Sequence, residues 1–215
     1  LGENGPVSMR KALAGSLNIP AVKTIALVGE ANVIKTAKDV GIDSPFKDCG
    51  LALVLGGCDV KLVDHVGGYA TLANGGKKVQ KTSILKVVSQ EGETLEEYEE
   101  KSEQVLDEQA VYELVNIMSD NQARSYVFGA NSALTLGAGR PVAAKTGTTQ
   151  DFRDGWTLGF TPSLVAGVWT GNNNNSPMKQ DAVVMAGPIW NKFMKEALEG
   201  NAVEQFNEPD GIKRI

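Results

Sequence analysis

Residues 141–171 read PVAAKTGTTQDFRDGWTLGFTPSLVAGVWTG, and three strand-like runs stand in this stretch, over 141–149, 155–161 and 164–171. The second and third are separated only by Pro162-Ser163, a connection short enough to make them an antiparallel pair. On the first run, Lys145 and Gly147 share a face, and Gly147 lets a ligand backbone come close.

Outward from this stretch the period becomes helical. Ser8 is placed to cap a short helix over 9–14, with Met9 and Leu13 on one face. Ser16-Leu17-Asn18-Ile19 breaks that helix. Pro20 suits the first turn of the next one, which points Val22, Ile25 and Ala26 inward and stops at Gly29. Val33, Ile34, Ala37 and Val40 continue at helical spacing to Gly41. A helix over 59–74 carries Leu62, Val63, Val66, Tyr69, Ala70 and Ala73 on its stripe. Residues 83–89 and the turn at Glu91-Gly92 suggest a hairpin arm, and the Glu-rich 93–103 a solvated loop. Asp107 caps a long helix with Val111, Leu114, Val115 and Met118 inward, followed by a loop to Arg140. Pro188 opens a final helix with Ile189, Trp190, Phe193, Met194 and Ala197 as its apolar face. Helices, then a small antiparallel sheet, then a packing helix make an α+β pattern rather than an alternating one.

The 215 residues are enough for one domain with a substantial core. With a net charge of −5 and no basic cluster longer than a pair, a nucleic-acid partner is excluded, because phosphate binding needs concentrated cations. No apolar stretch approaches the roughly 20 residues that span a bilayer, so membrane anchoring is expected only through sequence outside this chain, whose Leu1 is read as a cut end. Cys49 and Cys58 are read as two small buried thiols, with a disulfide as the alternative in an exported chain. His65 is read as structural, and Trp156, Trp169 and Trp190 as core. The four asparagines 172–175 are read as a polar turn.

Two tripeptides carry chemistry: Ser16-Leu17-Asn18 at a helix break, where side chains can point into a cleft, and Lys145-Thr146-Gly147 on a strand. They match the second and third elements of the S-x-x-K, S-D-N, K-T-G signature of penicillin-binding proteins and serine β-lactamases, with Leu17 in the middle of the second. Further stretches are GPVSMRKAL, GGYATLANGG at 67–76, KTGTTQDFRDGWTLGFTP at 145–162 and GPIWNKFM near the end. In order and spacing, over about residues 5–198, the chain resembles the transpeptidase domain of class A penicillin-binding proteins, with 199–215 as a tail.

That resemblance implies an antiparallel sheet flanked by helices, incomplete at its N-terminus. It implies a peptidoglycan D,D-transpeptidase working through a serine acyl-enzyme, with stem peptides and β-lactams as ligands, no cofactor, and a place in the cell envelope outside the cytoplasmic membrane. The nucleophile and its lysine are expected several dozen residues before Ser16, in sequence this chain does not include. The fifteen residues before Ser16 are not expected to supply them, and Ser83-Ile84-Leu85-Lys86 is set aside as a decoy on a strand. Ser16 would pass a proton to the leaving D-alanine, Asn18 would orient the absent lysine and bind the substrate amide, and Lys145 would draw in the terminal carboxylate. Thr146 and Thr148 would bind that carboxylate, and the Thr148 N–H would be one oxyanion donor. Thr148 would face the cleft only if the strand twists or bulges after Gly147. The alternatives are a serine β-lactamase and a non-catalytic module that binds a peptide or partner.

Overall fold

The computed structural model describes residues 5–213. In chain order it forms α1 (Met9–Ala14), α2 (Asn18–Val28), α3 (Glu30–Asp39), a 3-10 turn (Gly50–Leu55) and α4 (Leu62–Ala73). Four short strands follow, β1 (Lys77–Val79), β2 (Lys86–Val88), β3 (Thr94–Glu97) and β4 (Ser102–Gln104). Then come α5 (Glu108–Met118), α6 (Asn121–Phe128), β5 (Ala143–Thr148), β6 (Asp154–Phe160), β7 (Val165–Gly171) and α7 (Ala182–Ala197).

Side-chain caps start four of the helices. Ser8 Oγ accepts from the Lys11 N–H at 3.2 Å, Asp107 from Ala110 at 2.9 Å, Asp120 from Ala123 at 2.8 Å and Asp181 from Val184 at 3.3 Å. The main sheet is antiparallel in the order β5-β6-β7, and its register runs without a shift from Ala143 opposite Phe160 to Thr148 opposite Gly155. On one face α7 packs Trp190, Met194 and Leu198 against Ala144 and Ala166. On the other, Val111, Val115 and Met118 of α5 pack against Ala143 and Phe160, with Tyr69 of α4 beside them. Gly159 is required here, because a Cβ on it would lie 2.5 Å from the Trp190 ring. Trp190 is fully buried, and its truncation to Ala would cost about 3–5 kcal/mol.

The α+β reading and the three sheet strands agree with this architecture. Other expectations are corrected. The final helix begins at Ala182, capped by Asp181, so Pro188 lies inside it. Its buried stripe is Ala182, Ala186, Gly187, Trp190 and Met194, while Ile189, Phe193 and Ala197 face outward. Residues 121–128 form α6 rather than loop, and α4 starts at Leu62, with Val63 61% exposed. Ala26 is exposed. The Glu-rich segment contributes β3, which pairs with β2 with a bulge beside Val87, and β4, which pairs with β1. All of β3 and β4 is nonetheless exposed. Cys49 and Cys58 form a disulfide with Cα atoms 5.8 Å apart rather than two thiols. Trp169 is 38% exposed, held at its rim by a bond from Nε1 to Asp154 Oδ1 at 2.9 Å. His65 packs against Tyr69 and Trp156 at 5.5 and 5.6 Å, and burial lowers its pKa, so the ring is neutral at pH 7.

Candidate active site

Ser16 is presented by the way α1 ends. The Ser16 N–H donates to Leu13 O at 3.0 Å and the Leu17 N–H to Ala12 O at 2.9 Å, the paired bonds of a Schellman motif. The position after the cap in that motif is left-handed and usually glycine. Here it is Ser16, with φ 55, a conformation that costs a non-glycine residue about 1 kcal/mol or more. Gly15 before it has no room for a side chain: a Cβ would lie 1.9 Å from Tyr126 Oη. That hydroxyl donates to Lys11 O at 3.0 Å, so α6 braces the turn that displays Ser16.

Lys145 reaches the same point from β5. Its Nζ donates to Ser16 Oγ at 2.6 Å and to Thr146 O at 2.6 Å, so residues 129 apart in sequence share a charge-assisted hydrogen bond. Burial pushes the ammonium down to about 8, because a low-dielectric surround disfavours its charge. Asn18, the first residue of α2, is exposed, and its side chain makes no hydrogen bond to the described residues.

The outer edge of β5 is covered along most of its length. The Thr149 N–H donates to Asp154 O at 3.1 Å. By antiparallel alternation the main-chain groups of residues 142, 144, 146 and 148 therefore point away from β6. Arg124 of α6 takes the first two, donating to Val142 O at 3.4 Å and Ala144 O at 3.2 Å, and also to Met118 O at 3.1 Å. It is only 3% exposed. Burial pushes its guanidinium down to about 10 against the raising influence of Asp120. Lys145 takes Thr146 O. The outward N–H of Thr148 has no hydrogen-bond partner among the described residues.

The side chains of Thr146 and Thr148 lie on the sheet face opposite Lys145. Because the register is regular, no bulge turns Thr148 round; its hydroxyl accepts from the Ala182 N–H at 3.1 Å. The expectation that its side chain faces the Ser16 cleft is corrected, and what Thr148 offers that edge is its main chain. Just beyond, the Asp154 carboxylate accepts from Thr149 Oγ1 at 2.9 Å and from Trp169, fixing the β5–β6 connection. Two apolar residues of α2 are open, with Ile19 70% and Leu27 89% exposed. Two hollows, of about 340 and 410 Å3, border the β ribbons at Gln80, Lys81 and Lys101.

The sequence reading overlooked Arg124 and also three further bare S-x-x-K runs, at Ser44–Lys47, Ser176–Lys179 and Ser8–Lys11. In the run nearest Ser16 the structure gives Ser8 and Lys11 other tasks. Ser8 Oγ caps α1, and the Lys11 ammonium lies 5.0 Å from the Tyr126 ring centroid. Arg124 carried no signal beyond its place four residues after the capping Asp120, since a lone Arg in a polar segment reads as solvated.

A sheet with helices on both faces and a Ser-x-Asn turn bonded to a Lys-Thr-Gly strand carry two of the three signature elements shared by penicillin-binding proteins and serine β-lactamases. The family model described as the penicillin binding protein transpeptidase domain matches residues 2–195, and the chain belongs to that family. It is 37% identical to penicillin-binding protein 2D of Bacillus subtilis (strain 168) over 99% of this chain and 31% of that protein. It is 33% identical to penicillin-binding protein 1A of Aquifex aeolicus (strain VF5) over 96% of this chain and 28% of the relative. The chain thus spans about a third of the curated relatives it matches. Among solved structures, PonA1 of Mycobacterium tuberculosis in complex with penicillin V superposes with a TM-score of 0.81 at 26% identity, covering 98% of this chain and 61% of the other. Penicillin-binding protein 1A of Haemophilus influenzae gives 0.83 at 21% identity, over 96% and 36%.

Proposed function

We propose that this chain is part of a peptidoglycan D,D-transpeptidase and supplies two of the three motif elements of its cleft, the serine nucleophile and its lysine belonging to residues outside the chain. The observation that carries the reading is the hydrogen bond from Lys145 to Ser16, which joins two motifs 129 residues apart in sequence. The nucleophile attacks the penultimate D-alanine carbonyl of a stem peptide, forming an ester and, with a proton passed through Ser16, expelling D-alanine. An amine of a second stem peptide then takes the acyl group. Lys145 provides the positive potential that gathers the terminal carboxylate. Asn18 is free to bind the substrate amide. Gly147 leaves the strand bare for close approach, and the Thr148 N–H points outward as an oxyanion donor. Thr146 contributes through the carbonyl that holds Lys145, while the Thr148 hydroxyl stays with the Ala182 N–H on the opposite face.

A β-lactam presents a strained amide and a carboxylate to the same groups, so penicillin acylates the complete protein. The activity lies outside the cytoplasmic membrane, where stem peptides are. Among the described residues no helix is long and apolar enough to cross a membrane. The test is to express the longer reading frame and map the serine that fluorescent penicillin labels. Stable labelling at a serine upstream of Leu1 supports the proposal. Rapid turnover of a chromogenic β-lactam makes the protein a β-lactamase, and no labelling makes it a binding module.

A further inference from the structure

We propose that the Cys49–Cys58 disulfide is a positioning device for the candidate cleft, holding the 49–58 loop between the α2 wall and the end of β5 so that the two keep their spacing. The catalytic consequence rests on the function proposed above; the structural claim does not.

The loop touches both walls. Its 3-10 turn packs on α2, the helix that begins at Asn18. The Gly50 N–H donates to Glu30 Oε1 at 2.8 Å, tying its start to α3. At its other end, a Cβ on Gly56 would lie 3.7 Å from Thr149 Cγ2. Thr149 directly follows Thr148 and is bonded to Asp154. The loop therefore spans from the element carrying Asn18 to the residue after the outward Thr148 N–H.

Burial does little to hold it there. Leu51, Val54 and Leu55 are 47%, 39% and 42% exposed, and Cys49 is its one buried residue. A loop with exposed apolar side chains and few hydrogen bonds opens easily. Covalent closure removes most of those open conformations, since it fixes the distance between the loop's ends. A disulfide serving only as a local staple would leave Thr149 indifferent to its state, and that separates the two readings.

Cys58 is the partly exposed partner, open to a dithiol reductant. A thiolate of the reductant attacks a cystine sulfur and the other cysteine leaves as thiolate. The reductant's second thiolate then closes its own disulfide and releases the first cysteine. Two electrons and two protons pass from the dithiol to Cys49 and Cys58.

The experiment is amide hydrogen exchange on this chain, oxidised and after dithiothreitol, with two thiols per chain confirmed by titration. Reduction is expected to speed exchange at the bonded amides of 50–58 and at Thr149, whose N–H donates to Asp154 O, by at least about tenfold, leaving the paired amides of β6 unchanged, and re-oxidation should restore the slow rates. An unchanged rate at Thr149 in fully reduced chain would overturn the proposal, as would equal acceleration everywhere, which marks general destabilisation. In the longer protein, reduction should lower the second-order constant of penicillin acylation about tenfold, since small misplacements of positioned groups have effects of that size. The Cys49→Ser, Cys58→Ser double variant should start at the lower value and ignore dithiothreitol. An oxidised protein that penicillin never labels counts against the proposed function, and the exchange result still decides the loop.

Discussion

Along the outer edge of β5 the carbonyls of Val142 and Ala144 are taken by Arg124 and that of Thr146 by Lys145. Along β7 the situation is reversed. The Thr161 N–H donates to Leu164 O, so alternation turns the main-chain groups of Val165, Gly167, Trp169 and Gly171 outward, and no hydrogen bond from the described residues reaches them. An open strand edge invites pairing with another chain, and folded proteins normally cover or blunt it. Two half-buried or buried cations are an expensive cover, since each loses hydration. Their presence on β5 narrows the opening to the neighbourhood of Thr148. The bare β7 edge, with Ile189 and Phe193 of α7 exposed on the helix behind the sheet, fits a sheet that further strands complete.

The largest effect should come from setting this chain against the longer protein. If completion of the β7 side brings the nucleophile, the chain alone takes up no penicillin, and intact mass after incubation shows no adduct on Ser8, Ser16 or any other residue. A stoichiometric adduct on the 215-residue chain would mean that the two edges do not divide the work as described.

Next in size is the cover of β5 itself. In the longer protein, Lys145→Ala should slow acylation by at least about tenfold, because a positioned charge beside the developing oxyanion and the carboxylate is worth a few kcal/mol. Lys179→Ala, at an exposed position beyond β7, should change nothing measurable. Equal effects would place the site on neither edge.

A titration sharpens the same point. Burial holds Lys145 at about 8 against an ordinary 10.5. Its charge is therefore lost as pH rises through about 8, and capture of an anionic β-lactam should weaken there, read as a rise in the apparent Kd of the acylation reaction. Stability moves the other way. Between about 8 and 10.5 the unfolded chain holds this proton and the folded chain does not, so Lys145 makes the fold more stable with rising pH in that window. Lys145→Met should remove both trends.

How far the sequence discloses these edges differs element by element. The β5–β7 strands were legible because Pro162-Ser163 and the turn residues punctuate a period-2 pattern, and the Ser16–Lys145 contact was legible through motif order. The β5 cover was not. Arg124 is the buried residue of α6, so the helix shows a charge where an apolar stripe would announce it. The start of α7 was hidden by Pro188, whose ring lies on an exposed part of the helix where one missing N–H is tolerated. The disulfide left no trace in spacing alone, because nine positions suit two thiols as well as a bridge.

The smallest effect tests whether the β5 cover serves stability or the site. Ser16 accepts from Lys145 while held at φ 55, so two substitutions separate the hydroxyl from the backbone. Ser16→Ala loses the hydrogen bond and keeps the strain. Ser16→Gly loses the same bond and relieves the left-handed conformation. Because that conformation costs a residue with a Cβ about 1 kcal/mol, the Gly variant should be more stable than the Ala variant by about 1 kcal/mol in urea unfolding of this chain. Measured in the longer protein, both should be slow in acylation to a similar degree, since both lack the proton-passing oxygen. A Gly variant as unstable as the Ala variant would mean that the turn is not strained. A Gly variant that acylates at the parent rate would mean that Ser16 is only an anchor for Lys145, and that the covered edge of β5 exists for the fold.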